Sequence, residues 1–518
     1  MNSLDDTVAG ETAQSRIVTA RELGVVAALL AALATLGLAM GDGRILLTRA
    51  LWVDEVHTVL LAGRASPIAV ISDLANGADF GPPLVPLAAW TLRHVVGPLT
   101  PVLLHSASLI CVLVALILIY RVLRFQFDAG ASLVGTVAVG TQELVIAHSF
   151  EGRFYGPWLL CMALFALAVA SPRKRWRLAI ASVLLCTVHW YGVIALCLMI
   201  AGAVAIQIRA WRVAARGLWP AVAGPIALAV CIPLSIGQRH ALSVATWVAD
   251  FSVTQLTTLL SSFWTTAVPA VASLIIAVAF AVRVLRPHKA HSGNRRSWNA
   301  GIAAFMALAL TPFALAALSL VGQPSMVPRY NLPAVLAWAP LCAVAAALLG
   351  RWPQRAAALA LAWLWLAGYS AESIRKRRFD TAVHQLASAL HQASSLGMPV
   401  VFANMHSLYA VSALAGVDRS AIAFLEITDS TTSQRLSKGA LIERDVVRVH
   451  AHRFQFPKLV RQDDLRTAPR FAVVGLEPNL LDGYSSDVFA YGRIAFPGFC
   501  PAEQGQEVTV FVRGVAKC

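Results

Sequence analysis

Four short clusters in an otherwise apolar chain carry the residue types that do chemistry. They are Asp54 and Glu55 within Leu51-Trp-Val-Asp-Glu-Val-His57, Glu151 with Arg153 and Tyr155, His189 with Trp190 and Tyr191, and Arg329 with Tyr330. A carboxylate can take the proton from an attacking hydroxyl, while guanidinium groups bind phosphate oxygens and stabilise the charge that grows as phosphate leaves. Such groups at a membrane surface suit an anionic lipid substrate. Phosphate departs readily as an anion, so no general acid is needed. The economical reaction is in-line transfer of a sugar from a lipid phosphate to an acceptor hydroxyl.

What must position these clusters is a membrane bundle. The chain has 518 residues, 58% hydrophobic and 13% charged, with a mean hydropathy of +0.67; soluble domains carry about 25% charged residues. The net charge of +15 comes from Arg and Lys grouped in short segments between apolar runs, which marks cytoplasmic loops rather than a nucleic-acid surface. Nucleic-acid binding is therefore excluded as the expected function. Cys111, Cys161, Cys186, Cys197, Cys231 and Cys342 sit in apolar runs as small hydrophobes, with no CxxC spacing. Cys500 and Cys518 flank the last strand of a polar C-terminal region, a disulfide candidate if that region is extracytoplasmic.

Span length and flanking charge give a map. Residues 1–22 read as a cytoplasmic tail and residues 23–371 as a transmembrane domain whose first external loop is 41–83. Residues 84–97 are apolar but short of the roughly 20 residues a span needs, and read as an interfacial or re-entrant helix. The 31 apolar residues of 178–208 would overshoot a bilayer as one helix. Two short helices turning at His189-Trp-Tyr-Gly192 fit better, and about eleven spans result. Placing the basic ends inside puts all four chemical clusters on one external face. Ile374-Arg-Lys-Arg-Arg378 conflicts with that map, because it follows the last span on the external side.

Residues 372–518 change character. Helical periodicity over 380–396 and short buried strands at 399–403, 421–425, 470–474 and 508–512 predict a small soluble α/β domain, expected on the periplasmic side. It holds no glycine-rich phosphate loop or metal cluster, so capping or acceptor binding is its expected job.

In order along the chain, Trp52-x-Asp54-Glu55, Gly81-Pro82-Pro83-Leu84, Glu151-Gly-Arg153-Phe-Tyr155-Gly, His189-Trp-Tyr-Gly192 and Pro328-Arg329-Tyr330-x-x-Pro333 resemble the successive signatures of GT-C fold glycosyltransferases. The subgroup most similar is the bacterial polyprenyl-phosphate-sugar-dependent enzymes, such as protein O-mannosyltransferases and lipid A aminoarabinose transferases. The resemblance covers about residues 45–340 and implies an inverting transfer at the periplasmic face of the inner membrane, from an undecaprenyl-phosphate-sugar donor to a glycolipid, lipopolysaccharide or protein acceptor. It implies Asp54 as base, Glu55 assisting or binding a divalent ion, and Arg153 and Arg329 on the donor phosphate, supported by Tyr155 and Tyr330. Glu151, His189 and Tyr191 join them as substrate-binding candidates. Gly81 stands where many relatives carry His, and His57 is the residue that can compensate.

Plainer readings stand beside these. Asp54 and Glu55 can be helix N-terminal charges, Arg153 an interfacial anchor, Arg329 a topology flank, His189 a hydrogen-bonded core residue, and Glu151 a salt-bridge partner of Arg153. The competing function is a transporter or flippase of a lipid-linked anion. That reading calls for paired repeats and mid-span charges, and the charges here lie at segment ends.

Overall fold

The computed structural model describes residues 18–40, 42–171, 175–206, 217–241, 251–264, 299–321, 325–349, 351–395, 397–414, 416–426, 438–475, 496, 499–504 and 508–513. Residues 265–298, Cys518 and most of the N-terminal tail lie outside the described residues.

Helix α1 (Ala20–Ala39) is started by Thr19, whose hydroxyl accepts the Glu22 amide. Short α2 (Ile45–Thr48), α3 (Val53–Ala62), α4 (Pro67–Ala75) and α5 (Leu84–Val96) build the first loop. The long α6 (Pro101–Arg124) begins with Pro at its first position and Thr100 as cap. Helices α7 (Ala129–Gly140) and α8 (Glu143–Ser149) form a pair bent by 65° at Thr141-Gln142. Then α9 (Tyr155–Ala170), α10 (Arg175–Val188) and α11 (Gly192–Ala205) follow, and the expected break at His189–Tyr191 separates the last two. Among the described residues six helices are long and apolar enough to cross a membrane, or seven if the bent pair is one span.

The last of these, α12 (Arg351–Ser395), runs unbroken for 45 residues. Sequence reading ends a span at 371 and starts a separate helix at 380; the chain instead continues through the basic run, because no Pro or Gly after Gly368 interrupts it. The ion pairs of that run account for its unexpected place. Arg375 pairs with Glu372, Lys376 lies 3.4 Å from both Glu151 and Glu372, and Arg377 pairs with Asp42. Acids hold Arg375, Lys376 and Arg377, and the run lies inside a helix rather than at a loop end.

Beyond α12, six strands among the described residues form one sheet in the order β3-β2-β1-β4-β6-β5. β1 (Val400–Phe402), β2 (Ala423–Glu426), β3 (Lys458–Arg461) and β4 (Arg470–Val474) are parallel, while β6 (Val508–Arg513) and β5 (Phe499–Gln504) add antiparallel. Helices α13 (Met405–Ser412) and α14 (Lys438–Phe454) connect β1 to β2 and β2 to β3. A continuous hydrophobic core joins this unit to the first loop: Leu51, Val53 and Val56 pack with Phe379, Leu386, Tyr409 and Val447. The loop is thus walled by the C-terminal unit on one side and by the bundle on the other.

Candidate functional site

Asp54 and Glu55 are adjacent in sequence and opposite in environment. Both lie in the first turn of α3, where the helix N-terminus favours negative charge. Glu55 is completely buried, and both its oxygens are engaged. Arg49 grips it with both terminal nitrogens at 2.8 and 3.1 Å, His105 Nε2 lies 3.0 Å away, and the backbone amides of Trp52 and Gly152 donate at 2.7 Å each. Burial alone would raise this carboxyl group, but Arg49 and then His105 outweigh it and hold it well below the usual carboxylate range. With five nitrogen atoms around two oxygens, a divalent ion does not fit at Glu55. Among the described residues no group of three His, Cys, Asp or Glu side chains is arranged to hold one.

This network reaches across the molecule. Arg49 also donates to the Phe150 carbonyl at 3.1 Å, so it and Glu55 together bracket residues 150–152. That loop presents Arg153 to α3. Arg153 donates to the Asp54 carbonyl at 3.1 Å and holds Asp79 in a two-pronged pair at 2.6 and 3.1 Å. Its Nε lies 4.0 Å from Asp54 Oδ2. The side chain of Asp54 keeps 27% of its surface exposed, against 4% for Asp79. Burial works against the Arg153 charge, yet Asp79 and Asp54 more than offset it and raise its affinity for its proton. The result is a fixed cation beside the more open of the two carboxylates.

Glu151 does not pair with Arg153. Its partners are His148 Nδ1 at 2.8 Å and Lys376 at 3.4 Å. Burial opposes its ionisation, and the nearby His148 and Lys376 overcome that, leaving it well below the ordinary carboxyl range. Tyr155 stacks on His148 with ring centroids 4.2 Å apart, within electrostatic reach of Arg329 and Asp54.

The tetrad at 189–192 folds into an aromatic corner. His189 is buried between Phe154 at 4.2 Å and Trp158 at 4.5 Å, its Nδ1 accepting the Tyr191 amide. Tyr330 closes the corner, 5.3 Å from His189 and 4.9 Å from Tyr191, and Arg329 lies over the Tyr330 ring at 5.8 Å. The Tyr191 hydroxyl donates to Ser325 at 2.7 Å. His189 senses both the Arg153 and the Arg329 charge. Asp54, Arg153, Tyr155, His189, Tyr191, Arg329 and Tyr330 are therefore brought together around one corner of the bundle.

His57 goes elsewhere. It is buried against the C-terminal unit, edge-on to His450 at 4.6 Å and to Tyr409 at 5.3 Å. Burial pushes its imidazole down to about 3, with Asp54 pulling the other way. At Gly81, an added Cβ would meet no atom within 4 Å, so the position faces open space.

Sequence reading missed the holders of the site: Arg49, His105 and Asp79. Arg49 and His105 carried a readable signal, each being an ionisable residue inside or beside an apolar run. Asp79 carried none beyond its presence in the loop.

No known family model matches this chain, and no curated protein matches it. Solved structures do. The chain resembles ArnT from Cupriavidus metallidurans in the apo state, with 11% identity and a TM-score of 0.57, covering 93% of this chain and 97% of that one. It resembles the same protein bound to undecaprenyl phosphate with 12% identity and a TM-score of 0.54, over 94% and 98% of the two chains. The fold implied by the ordered motifs is the fold the chain has.

Proposed function

We propose that this protein is an inverting glycosyltransferase that moves a sugar from a polyprenyl-phosphate donor to an acceptor hydroxyl at the periplasmic face of the inner membrane. The observation that carries the reading is the partition of the acidic pair within an ArnT-like fold. Glu55 is sealed in a charge network, whereas Asp54 is part-exposed with Arg153 Nε 4.0 Å from its carboxylate. Asp54 is the general base: it takes the acceptor proton as the new C–O bond forms and the sugar–phosphate bond breaks. The electron pair leaves with the lipid phosphate.

Four nitrogen–oxygen contacts already commit Arg153 to Asp79, Thr58 and the Asp54 carbonyl. Its work in this reading is to hold α3 in place and aim Asp54. Arg329, above Tyr330 at the aromatic corner, is the cation for the donor phosphate. Glu55 is a positioning residue that ties α3 to the loop bearing Arg153. The solved ArnT bound to undecaprenyl phosphate supports the donor class, and the C-terminal unit beside the first loop is the acceptor-side wall.

Titrating purified protein with undecaprenyl phosphate, read by native mass spectrometry, tests the donor assignment. Wild type should bind it, and Arg329→Ala should bind at least tenfold more weakly. Equal binding by both would remove Arg329 from the role, and no binding by wild type would defeat the donor class.

A further inference from the structure

Four consecutive residues of the first loop are each tied to a different part of the molecule. The Ala78 carbonyl accepts from His450 Nε2 at 2.7 Å, the Asp79 carboxylate accepts from Arg153, the Phe80 carbonyl accepts from Trp190 Nε1 at 2.7 Å, and the Gly81 carbonyl accepts from Gln238 Nε2 at 3.0 Å. Three of these anchors belong to the membrane bundle. His450 alone comes from the C-terminal unit, on α14, 372 residues away.

The geometry of His450 admits one tautomer. A carbonyl can only accept, so Nε2 carries the hydrogen, and Nδ1 accepts from the Tyr409 hydroxyl at 2.5 Å. Both side chains are fully buried. Burial pushes the imidazole down to about 3, so it stays neutral at physiological pH and the contact does not switch. His57 of α3 packs edge-on against both rings. A buried histidine with both nitrogens satisfied is ordinarily core packing. What separates this one is where its bond lands, one residue before the carboxylate that holds Arg153.

We propose that His450, oriented by Tyr409, is a positioning residue for transfer: it fixes Ala78, hence Asp79, and through Arg153 the aim of Asp54. The C-terminal unit is then a structural part of the catalytic centre and not only a wall for the acceptor. This rests on Asp54 being the base. The relay has three links: His450 to Ala78 at 2.7 Å, Asp79 to Arg153 at 2.6 Å, and Arg153 to the Asp54 carbonyl at 3.1 Å. A misplacement of about 1 Å in a reacting group costs on the order of a hundredfold in rate, so a slack link affects turnover before it affects donor binding.

The test uses the full-length protein with His450→Leu, His450→Gln, Asp79→Asn and the Leu/Asn double variant. Gln keeps an N–H donor where Nε2 stands, and so serves as the rescue. Amide exchange across residues 77–82, undecaprenyl phosphate binding, and the level of glycolipid product in the envelope by mass spectrometry are the readouts. For His450→Leu we expect exchange at 77–82 to rise about tenfold with β1 and β4 unchanged, binding retained, and product down roughly ten- to a hundredfold. His450→Gln should recover most of the loss, and the double variant should fall no lower than Asp79→Asn. Wild-type exchange at 77–82 in His450→Leu, exchange raised throughout the sheet in both His450 variants, or additive losses in the double variant would each overturn the proposal. If wild type makes no product, the transferase reading fails, and the exchange comparison still decides whether His450 holds the loop.

Discussion

Glu55 accepts the backbone amide of Gly152 at 2.7 Å, a contact between residues 97 apart in the chain. It joins the first turn of α3, where Asp54 lies, to the loop that carries Arg153. Its companion contact, Arg49 to the Phe150 carbonyl, makes the junction double.

Glu55→Gln should cost stability rather than chemistry alone. It leaves the Arg49 guanidinium buried beside a neutral amide, and breaking a buried pair in this way costs about 3–5 kcal/mol. Thermal unfolding in detergent should show a clear drop for Glu55→Gln and almost none for Asp54→Asn. Equal melting temperatures for Glu55→Gln and wild type would contradict the structural role.

Gly152→Ala should act on the same junction. A Cβ there would lie 2.8 Å from Leu104 Cβ, and relieving the overlap pulls the Gly152 amide away from Glu55. A loss of about 1–3 kcal/mol is expected from overpacking, together with reduced transfer. Wild-type stability and activity in this variant would show that the loop has slack.

The parts of the site legible in sequence were those announced by residue type. Asp54, Arg153 and Arg329 are charges at the ends of apolar runs, and the break at 189–191 followed from a run too long for a bilayer. Partnerships were not legible. Arg153 pairs with Asp79, 74 residues back, and not with Glu151 two residues away, because the turn at 150–154 points the two side chains to different neighbours. The run 375–378 reads as a loop flank until its acidic partners Glu372, Glu151 and Asp42 are in place. The C-terminal strands showed in composition, but their docking on α3 through Tyr409 and His450 needed the fold.

Glu443 should give the C-terminal unit a pH-dependent stability. Burial raises its carboxyl from 4.5 to about 7, against the opposing Met405 amide at 2.9 Å. His406, Arg444 and Asp445 are the charged or titratable groups near it. The folded state holds this proton between about pH 4.5 and 7 while the unfolded state has released it. Stability therefore falls as pH rises through that window. Glu443→Gln should melt higher than wild type at pH 8, by up to about 3 kcal/mol, and the difference should vanish near pH 4.5. A variant no more stable at pH 8 would contradict this.

Asp54 and the C-terminal sheet should lie on the same side of the membrane, since α3 and α13 share one core. Single cysteines at the exposed positions Ala65 and Lys458, placed in a cysteine-free background, should both react with an impermeant maleimide in intact cells. Labelling of only one would break the shared-face arrangement.

Transfer in this enzyme depends on Asp54 as the base. Mass spectrometry of envelope glycolipids should be compared between cells lacking this protein and cells carrying it as wild type or as Asp54→Asn at matched levels. A sugar-modified species present only with wild type, and reduced at least about a hundredfold with Asp54→Asn, is the result expected from losing a general base. Full modification by Asp54→Asn would contradict it.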